Sequence, residues 1–470
     1  MAYQVPHNID SNKIFLVNRS EIEGRLEPEF YKPSIASLEK RIRSLSSHRL
    51  KDYALSIAGG ATPKKTEADR FYSDSESGIP FLRVQNLQTN GELSLDDCVY
   101  INENTHNGML KRSQVSEGDL LVKITGVGRM AIASVAPKGF VGNTNQHMVV
   151  IKTGDADISK YLARYLNLDI IERIASRHST GGTRPALDYP SLKNIPVIEG
   201  IDFSIIDIAL LNKGQKEQQA EILLNSIDDY LLGELGIQLP EKKAQTLQDR
   251  IFTVNFSEVE GRLDPTVYKD GIKLISPKWD NVKLSKVAFI NPNGAYKGES
   301  IETPISFVPM EVVDERFSEI TTMEETTIEK SSGFTKFREG DLLWAKITPC
   351  MQNGKSAVAK NLTNGLGCGS TEFFVLRPKD ERLAIEYLHV ILHMKCVRET
   401  AMLYFGGSAG QQRVSSSFLE NFNLPLPPKE KQVEIAQHVY KMRQQAKALQ
   451  EEGKATLEQA KREVEAMIIG

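Results

Sequence analysis

An α+β fold, built by tandem duplication of one β-rich unit that is followed each time by a long helix, is what this 470-residue sequence predicts. Three observations carry the prediction. The phrase NRSEIEGRLEPEFYK, beginning at Asn18, returns as NFSEVEGRLDPTVYK at Asn255, and self-similarity at a long period marks a repeated unit. Short β-branched runs cut by Gly, Pro and Asn follow each copy, which is the pattern of strands and tight turns. Each β-rich stretch then passes into helical periodicity, and the chain closes on a long apolar seam.

The opening phrase pairs Asn18 with Asn255, Ser20 with Ser257, Glu23 with Glu260, Gly24 with Gly261, Arg25 with Arg262, Leu26 with Leu263, Pro28 with Pro265 and Tyr31 with Tyr268, all at one offset. Its Ser-x-x-Glu core reads as a capping box, with Ser20 or Ser257 at the N-cap. The glycine that follows limits the element to about one turn. With so many acids nearby, Arg25 and Arg262 are expected in ion pairs within their own unit.

The strands come next: IPFLRVQNL, DLLVKITG, MAIASVA and HMVVIKTG in the first unit, ISFVPMEVV, DLLWAKIT, KSAVAKN and TEFFVLRP in the second. EGDLLWAKITP carries one residue more than EGDLLVKITG. Helical stretches are expected over 161–179 and 384–404, with Tyr161 aligned to Tyr387. A glycine-rich loop and a short apolar strand ending at proline follow (LKNIPVI, LENFNLPLPP), then the long helix. KEQQAEI and KEKQVEI place Gln219 opposite Gln432. The predicted domains are a β-rich unit over 1–200, a spacer helix and linker over 201–247, a second unit over 248–428, and a C-terminal spacer helix over 429–470.

The last helix shows Ile435, Val439, Met442, Ala446 and Leu449 at alternating steps of four and three, resuming at Leu457, Ala460, Val464 and Met467. That is a heptad seam, which needs a partner helix. Ile222, Leu223, Ile227, Leu231 and Leu235 supply the matching stripe. A helix of this length spans roughly 55–60 Å, far longer than the flank of a small β-rich unit, so it reads as a spacer.

Two β-rich units, each with a long helix opened by a phrase such as PPKEKQVEI or the looser KGQKEQQAEI, resemble one family: the specificity subunit of Type I restriction-modification systems. GGATPKK with GIPFLRVQNL, EGDLLVKITG, EGDLLWAKITPCMQNGKSAVA and GSTEFFVLRP add to the resemblance, which covers essentially the whole chain. It implies two target-recognition domains, each reading one half of a bipartite site in double-stranded DNA. The helices would form an antiparallel coiled coil that sets the half-site spacing and docks two methyltransferase subunits, with motor-endonuclease subunits completing the complex. This chain would itself catalyse nothing and hold no cofactor. S-adenosylmethionine would sit on the partner methyltransferase.

Base recognition needs paired hydrogen-bonding groups, Arg or Lys for guanine and Asn or Gln for adenine. The first unit offers Arg83, Gln85 and Asn86 in RVQN; Asn143, Asn145, Gln146 and His147 in GNTNQH; and Thr183 and Arg184 in STGGTRP. The second offers Gln352, Asn353 and Lys355 in QNGKS; Ser370, Thr371 and Glu372 in GSTE; and Gln411, Gln412 and Arg413 in SAGQQR. Lys123 and Lys346 end the two DLL strands. For any one of these the plainer assignment is turn former or phosphate contact, since half or more of such bonds go to the DNA backbone. GGTR and GQQR stand out because their glycines allow close approach and they hold matching places in the two units.

Composition bounds the alternatives. A net charge of −3 and a pI near 6.3 lack the basic excess usual for nucleic-acid binding, yet residues 118–198 alone carry ten Lys and Arg against six acids. A non-enzymatic scaffold with two β-rich protein- or carbohydrate-binding modules therefore stays open. No apolar run reaches the roughly 18 residues of a membrane span, and no signal peptide is evident. Cys98, Cys350, Cys368 and Cys396 show no metal spacing, so a reduced cytoplasmic setting is expected. TPCMQNGKS has Pro349 where a phosphate-binding loop needs its first glycine. INPNGAY departs from the NPPY motif of adenine methyltransferases and reads as a turn.

Overall fold

A computed structural model describes residues 10, 12–22, 24–240, 251–255, 259, 264–407 and 411–470, the side chain of Asp270 apart. It divides into two compact units: the first holds residues 1–214 together with 453–470, the second holds 215–452.

The first unit contains strands β1 (Ser56–Gly59), β2 (Tyr72–Ser73), β3 (Ile79–Leu82), β4 (Val99–Ile101), β5 (Gln114–Ser116), β6 (Leu120–Lys123), β7 (Ala133–Val135), β8 (Val141–Thr144) and β9 (Met148–Lys152). They form two sheets, ordered β1-β9-β6-β7 and β2-β4-β3-β8-β5. The second unit continues with β10 (Asp280–Lys283), β11 (Ala288–Ile290), β12 (Pro304–Val308), β13 (Glu324–Thr327), β14 (Thr335–Arg338), β15 (Leu342–Ala345), β16 (Ser356–Val358), β17 (Leu366–Gly369), β18 (Phe373–Pro378), β19 (Phe405–Gly406), β20 (Arg413–Val414) and β21 (Asn423–Leu426). Its principal sheets run β11-β18-β15-β16 and β13-β12-β17-β14. Strand for strand this is the order of the first unit without β2. The parallel pairs agree as well: β3 on β8 and β12 on β17.

The uninterrupted apolar runs have a physical cause. Leu120, Val122, Val149 and Ile151 belong to the core on the helical side of their sheet, whereas Leu121, Met148 and Val150 belong to the core beneath the second sheet. Leu342, Trp344, Phe374 and Leu376 part from Leu343, Phe373 and Val375 in the same way. A strand covered on both faces must be apolar at consecutive positions, not alternating ones.

Seven helices matter for the argument: α1 (Pro33–Leu45), α2 (Ala156–Leu166), α3 (Asp169–His178), α4 (Ser204–Leu235), α5 (Ile385–His393), α6 (Lys395–Met402) and α7 (Lys429–Ile469). The stretches expected as single helices over 161–179 and 384–404 are each broken in two. In the first unit the break is held by Asn167, whose side chain bonds both the N–H and the C=O of Ala133 on β7, at 3.2 and 2.7 Å. LKNIPVI, expected as a strand, makes only an isolated bridge from Pro196 to Arg49. Its counterpart forms β21 and pairs with β10.

α4 starts at Ser204, whose N–H is capped by the Asp202 carboxylate at 2.8 Å, and stops at Gly236 in the left-handed region (φ 65°). Its start lies well before KGQKEQQAEI, so that phrase is mid-helix. Gln219 is exposed there, while Gln432 is fully buried in the first turn of α7. Gln432 accepts from Ala384 N–H and donates to the carbonyls of Arg382 and Pro427, each at 2.8 Å.

In the first unit Ile206 and Ala209 share a core with Leu457, Ala460 and Val464. In the second, Ile227, Leu231 and Leu235 share one with Ile435, Val439 and Met442. Lys216 pairs with Glu452 at 2.6 Å, Tyr230 stacks on His438, and Glu234 pairs with Lys431 at 2.8 Å, so these segments run antiparallel. Two expected seam residues point elsewhere: Ile222 is 63% exposed and Met467 69% exposed, whereas Leu223 packs on the core as expected and Ile468 takes the place of Met467.

Candidate nucleic-acid interface

In each unit three loops meet at one end of the doubly covered sheet. In the first, Ile124 N–H bonds His147 C=O at 2.9 Å, Leu187 N–H bonds Ile124 C=O at 2.8 Å, and Gly126 N–H bonds Pro185 C=O at 3.0 Å. Thr180 and Ala186 exchange both backbone bonds at 2.8 Å, closing the STGGTRP loop. In the second, Lys346 N–H bonds Glu372 C=O, Val414 N–H bonds Lys346 C=O, and Thr348 N–H bonds Gln412 C=O, at 2.9, 2.9 and 3.0 Å. Gly181 (φ 98°) and Gly407 (φ 107°) make the corresponding reversals, in a region only glycine enters freely. Gly60 is required for a different reason: a Cβ there would lie 1.8 Å from the Thr144 carbonyl oxygen.

These bonds define which residues correspond, and they correct two expected equivalences. Arg413 occupies the place of Ala186, not of Arg184. Lys346 occupies the place of Ile124, not of Lys123. β6 and β15 keep the same register against β9 and β18 through their fourth residue, so the extra residue of DLLWAK pushes its lysine one place along. A one-residue slip turns a side chain to the other face. Lys123 is 3% exposed and donates to Val127 C=O at 2.8 Å, with its pKa lowered chiefly by burial. Lys346 lies half-buried over the Phe374 ring.

The remaining sequence candidates divide by exposure. Gln85, Gln146, Thr183, Arg184, Thr371 and Gln411 are exposed and Gln412 is half-buried. The Arg184 side chain has no polar partner among the described residues. Asn86, Asn143 and Asn145 are turned inward and committed. Asn86 accepts from Arg83 N–H and donates to Ser94 C=O, Asn143 bonds His106 and Leu110 C=O, and Asn145 caps His147 N–H. Arg83 is half-buried and donates to Asp97 C=O at 2.8 Å. Lys355 is half-buried and ties down the carbonyls of Met310 and Val313 at 3.2 and 3.0 Å. Ser370 caps Glu372 N–H at 3.2 Å. Gln352 accepts from the Thr348 hydroxyl, and Asn353 is exposed beside it. Polar residues at turns satisfy their own backbone first, which a sequence pattern cannot separate from ligand contact.

Arg413 is exposed yet paired: Nε and Nη2 donate to the two Glu372 carboxylate oxygens at 2.9 and 2.7 Å. These bonds hold Glu372 below the usual carboxylate range and raise Arg413. A cavity of about 320 Å³ opens nearby, lined by Asn291, Asn293, Gly294, Lys336, Lys346 and Phe373. Asn293 and Lys336 had no signal in the sequence beyond the INPNGAY turn, where Asn291 (φ 51°) and Gly294 (φ 75°) make the reversal. Thr62, also missed, donates to Gln146; its signal was the GGATP phrase.

The opening phrase braces the root of the glycine loop. Arg25 donates to Ser179 C=O at 3.0 Å, pairs with Glu27 at 3.3 Å, and lies 4.5 Å over the Phe30 ring. Arg177, at the end of α3, covers the same ring at 4.4 Å and donates to Phe30 C=O. Glu39 of α1, buried, pairs with Arg43, Arg177 and His178 at 2.6, 2.5 and 2.9 Å. In the second unit Ile272 N–H bonds Thr400 Oγ1 at 3.1 Å, on the helix that leads into the GQQR loop. The cap sits two residues earlier than expected, with Asn18 N–H on the Glu21 carboxylate at 3.3 Å. Glu23, Ser257, Glu260, Gly261, Arg262, Leu263 and Gly410 lie outside the described residues.

In each unit the sheets carry loops with exposed Gln, Thr or Arg side chains. Residues 277–459 match the model of the Type I restriction modification DNA specificity domain, so the resemblance read from the sequence holds in the second unit. Among curated proteins the chain is similar to the specificity subunit of the Type I restriction enzyme EcoEI of Escherichia coli, 39% identical over 160 residues. That match spans 33% of this chain and 26% of the relative. The EcoAI specificity subunit, also of Escherichia coli, is 35% identical over 161 residues, again 33% and 26%. Among solved structures, the HsdS subunit of Thermoanaerobacter tengcongensis is 17% identical, covering 90% of this chain and 94% of that one at a TM-score of 0.33. No helix among the described residues is long and apolar enough to cross a membrane.

Proposed function

We propose that this chain is the DNA-recognition subunit of a Type I restriction-modification complex, a tandem duplication whose two units read the two words of a bipartite, asymmetric site in double-stranded DNA. The observation that carries this reading is the repeated loop cluster. The same backbone bonds frame both clusters, but the side chains they present differ: Thr183 and Arg184 with Gln146 in one, Gln411, Gln412 and the Arg413–Glu372 pair in the other. Equal scaffolds with unequal side chains suit two different words.

On this reading α4 and α7 form an antiparallel coiled coil that fixes the half-site spacing, since half-sites on one DNA face recur about every helical turn. The same helices dock two methyltransferase subunits, and motor-endonuclease subunits join them. Catalysis resides in those partners in the cytoplasm. S-adenosylmethionine binds the methyltransferase, which flips an adenine out of the stack for N6-methylation.

The test is single-molecule sequencing of genomic DNA from cells with and without this gene, scoring N6-methyladenine. Loss of one split, asymmetric motif on deletion is expected. An unchanged methylome, with the partner methyltransferase present and active, would refute the proposal and favour the scaffold reading.

A further inference from the structure

The second unit contains a cavity of about 640 Å³ between α5, α7 and the turn Phe317–Met323, lined by Ser318, Ile320, Val390, Ala436, Tyr440 and Arg443 among others. That volume lies within the ordinary range for small-molecule sites, roughly 300–1,000 Å³. Its wall mixes apolar and polar groups, and one charge in it has no hydrogen-bond or ion-pair partner among the described residues.

Arg443 is 6% exposed. Its Nε is enclosed without a hydrogen-bond partner, and its guanidinium makes no hydrogen bond or ion pair with any described residue. Ser318 is likewise buried with its Oγ unpartnered. The other charges of the wall are satisfied: Lys360 pairs with Glu386 at 3.0 Å, and Glu319 pairs with Lys447. Asp228 and Asp314 attract Arg443 from a distance without a hydrogen bond to it; one oxygen of each accepts from backbone N–H groups, Asp228 Oδ2 from Lys395 and Asp314 Oδ1 from Arg316 and Phe317. His389 and His393, both packed nearby, act on Arg443 only as neighbours: His389 bonds the Ser356 hydroxyl and His393 the Glu315 carbonyl. A buried guanidinium left without a partner is strongly disfavoured, and its planar fork fits one oxyanion group closely.

We propose that this cavity binds a small carboxylate with an apolar body, its carboxylate held by Arg443 and Ser318 and its hydrocarbon by Ile320, Val390 and Ala436. Nothing in the recognition loops is involved, so the proposal stands or falls apart from the DNA-reading function.

The experiment is thermal unfolding of the full chain followed by tryptophan fluorescence, because Trp279 and Trp344 both lie in the second unit. Sodium hexanoate is the probe, with sodium chloride at equal ionic strength and neutral hexanamide as controls. Hexanoate is expected to raise the midpoint in proportion to the logarithm of its concentration once that exceeds the dissociation constant, by roughly 3–6 °C at tenfold excess, with neither control doing so. Arg443→Met, which keeps a long side chain but no charge, should ignore hexanoate. A shift of equal size in the variant, or none in the parent, overturns the proposal. Should Arg443→Met fail to fold, Ser318→Ala decides: a severalfold weaker response supports the site and an unchanged one refutes it.

Discussion

Arg413 and Glu372 face each other as a two-bond ion pair at the tip of the second unit, while the residues that fill their places in the first unit, Ala186 and His147, make no such contact. The paired arginine is held in one orientation and the free Arg184 is not. Replacing Arg413 by alanine should leave stability nearly unchanged, since exposed pairs contribute little. It should relax base preference at one position by about 1–3 kcal/mol. Methylome sequencing of cells carrying R413A or R184A should show one loosened base in one word each, a different word for each variant. Loosening of both words by a single variant would count against the assignment.

Lys123 and Lys346 should behave oppositely despite similar sequence. K123A removes a buried cation and its bond to the Val127 carbonyl, costing about 1–3 kcal/mol of stability with little change in the salt dependence of DNA binding. K346A should leave the denaturation midpoint nearly unchanged and, if this lysine meets a phosphate, lower the salt slope by about one. Urea denaturation and binding titrations over a salt series read the two effects separately.

Glu39 should make the first unit acid-sensitive. Burial alone would raise its pKa, but bonds from His178 and Arg43 prevail and bring it from 4.5 to about 2. A depressed carboxylate stabilises the fold fully above its unfolded pKa, and that stability is lost as pH falls from about 4.5 through 2. E39Q should therefore cost about 2–3 kcal/mol at neutral pH, with the gap to the parent closing below pH 4. Circular dichroism should register the loss ahead of tryptophan fluorescence, which reports the second unit.

The long helices allow a contrast on one element. Leu231→Ala opens a hole in a fully buried position and should cost about 2–5 kcal/mol. Ile222→Ala, on the exposed face, should stay within about 0.5 kcal/mol. Equal effects of the two would mean the seam lies elsewhere.

The repeated strands, the long helices and the glycine loops were legible because each has a period or a punctuation of its own. Finer placements were not. The capping box fell two residues early because Asn18 and Glu21 satisfy the same pattern as Ser20 and Glu23. KEQQAEI echoed KEKQVEI in letters, yet Gln219 is a surface residue while Gln432 plugs a helix start. Gly214 lies within α4, where a helix tolerates a glycine for about 1 kcal/mol. Among the site residues, Asn86, Asn143 and Asn145 have the same composition as ligand-reading loops, and only coordinates reveal that their amides are already engaged. Arg184 and Arg413 looked equivalent because loops of unequal length end in similar letters; the flanking backbone bonds decide the register.

The division of the chain bears on its birth. Residues 453–470 supply Leu457, Ala460 and Val464 to the core that also holds Ile206 and Ala209, so the portion made first waits for a portion made after the entire second unit. At about 5–20 residues per second, the intervening 215–452 segment delays that closure by roughly 10–50 s. During this interval a nascent chain carries an uncovered apolar stripe, which a chaperone or the ribosome surface must shield. The half that leaves the ribosome early is therefore the half that matures late.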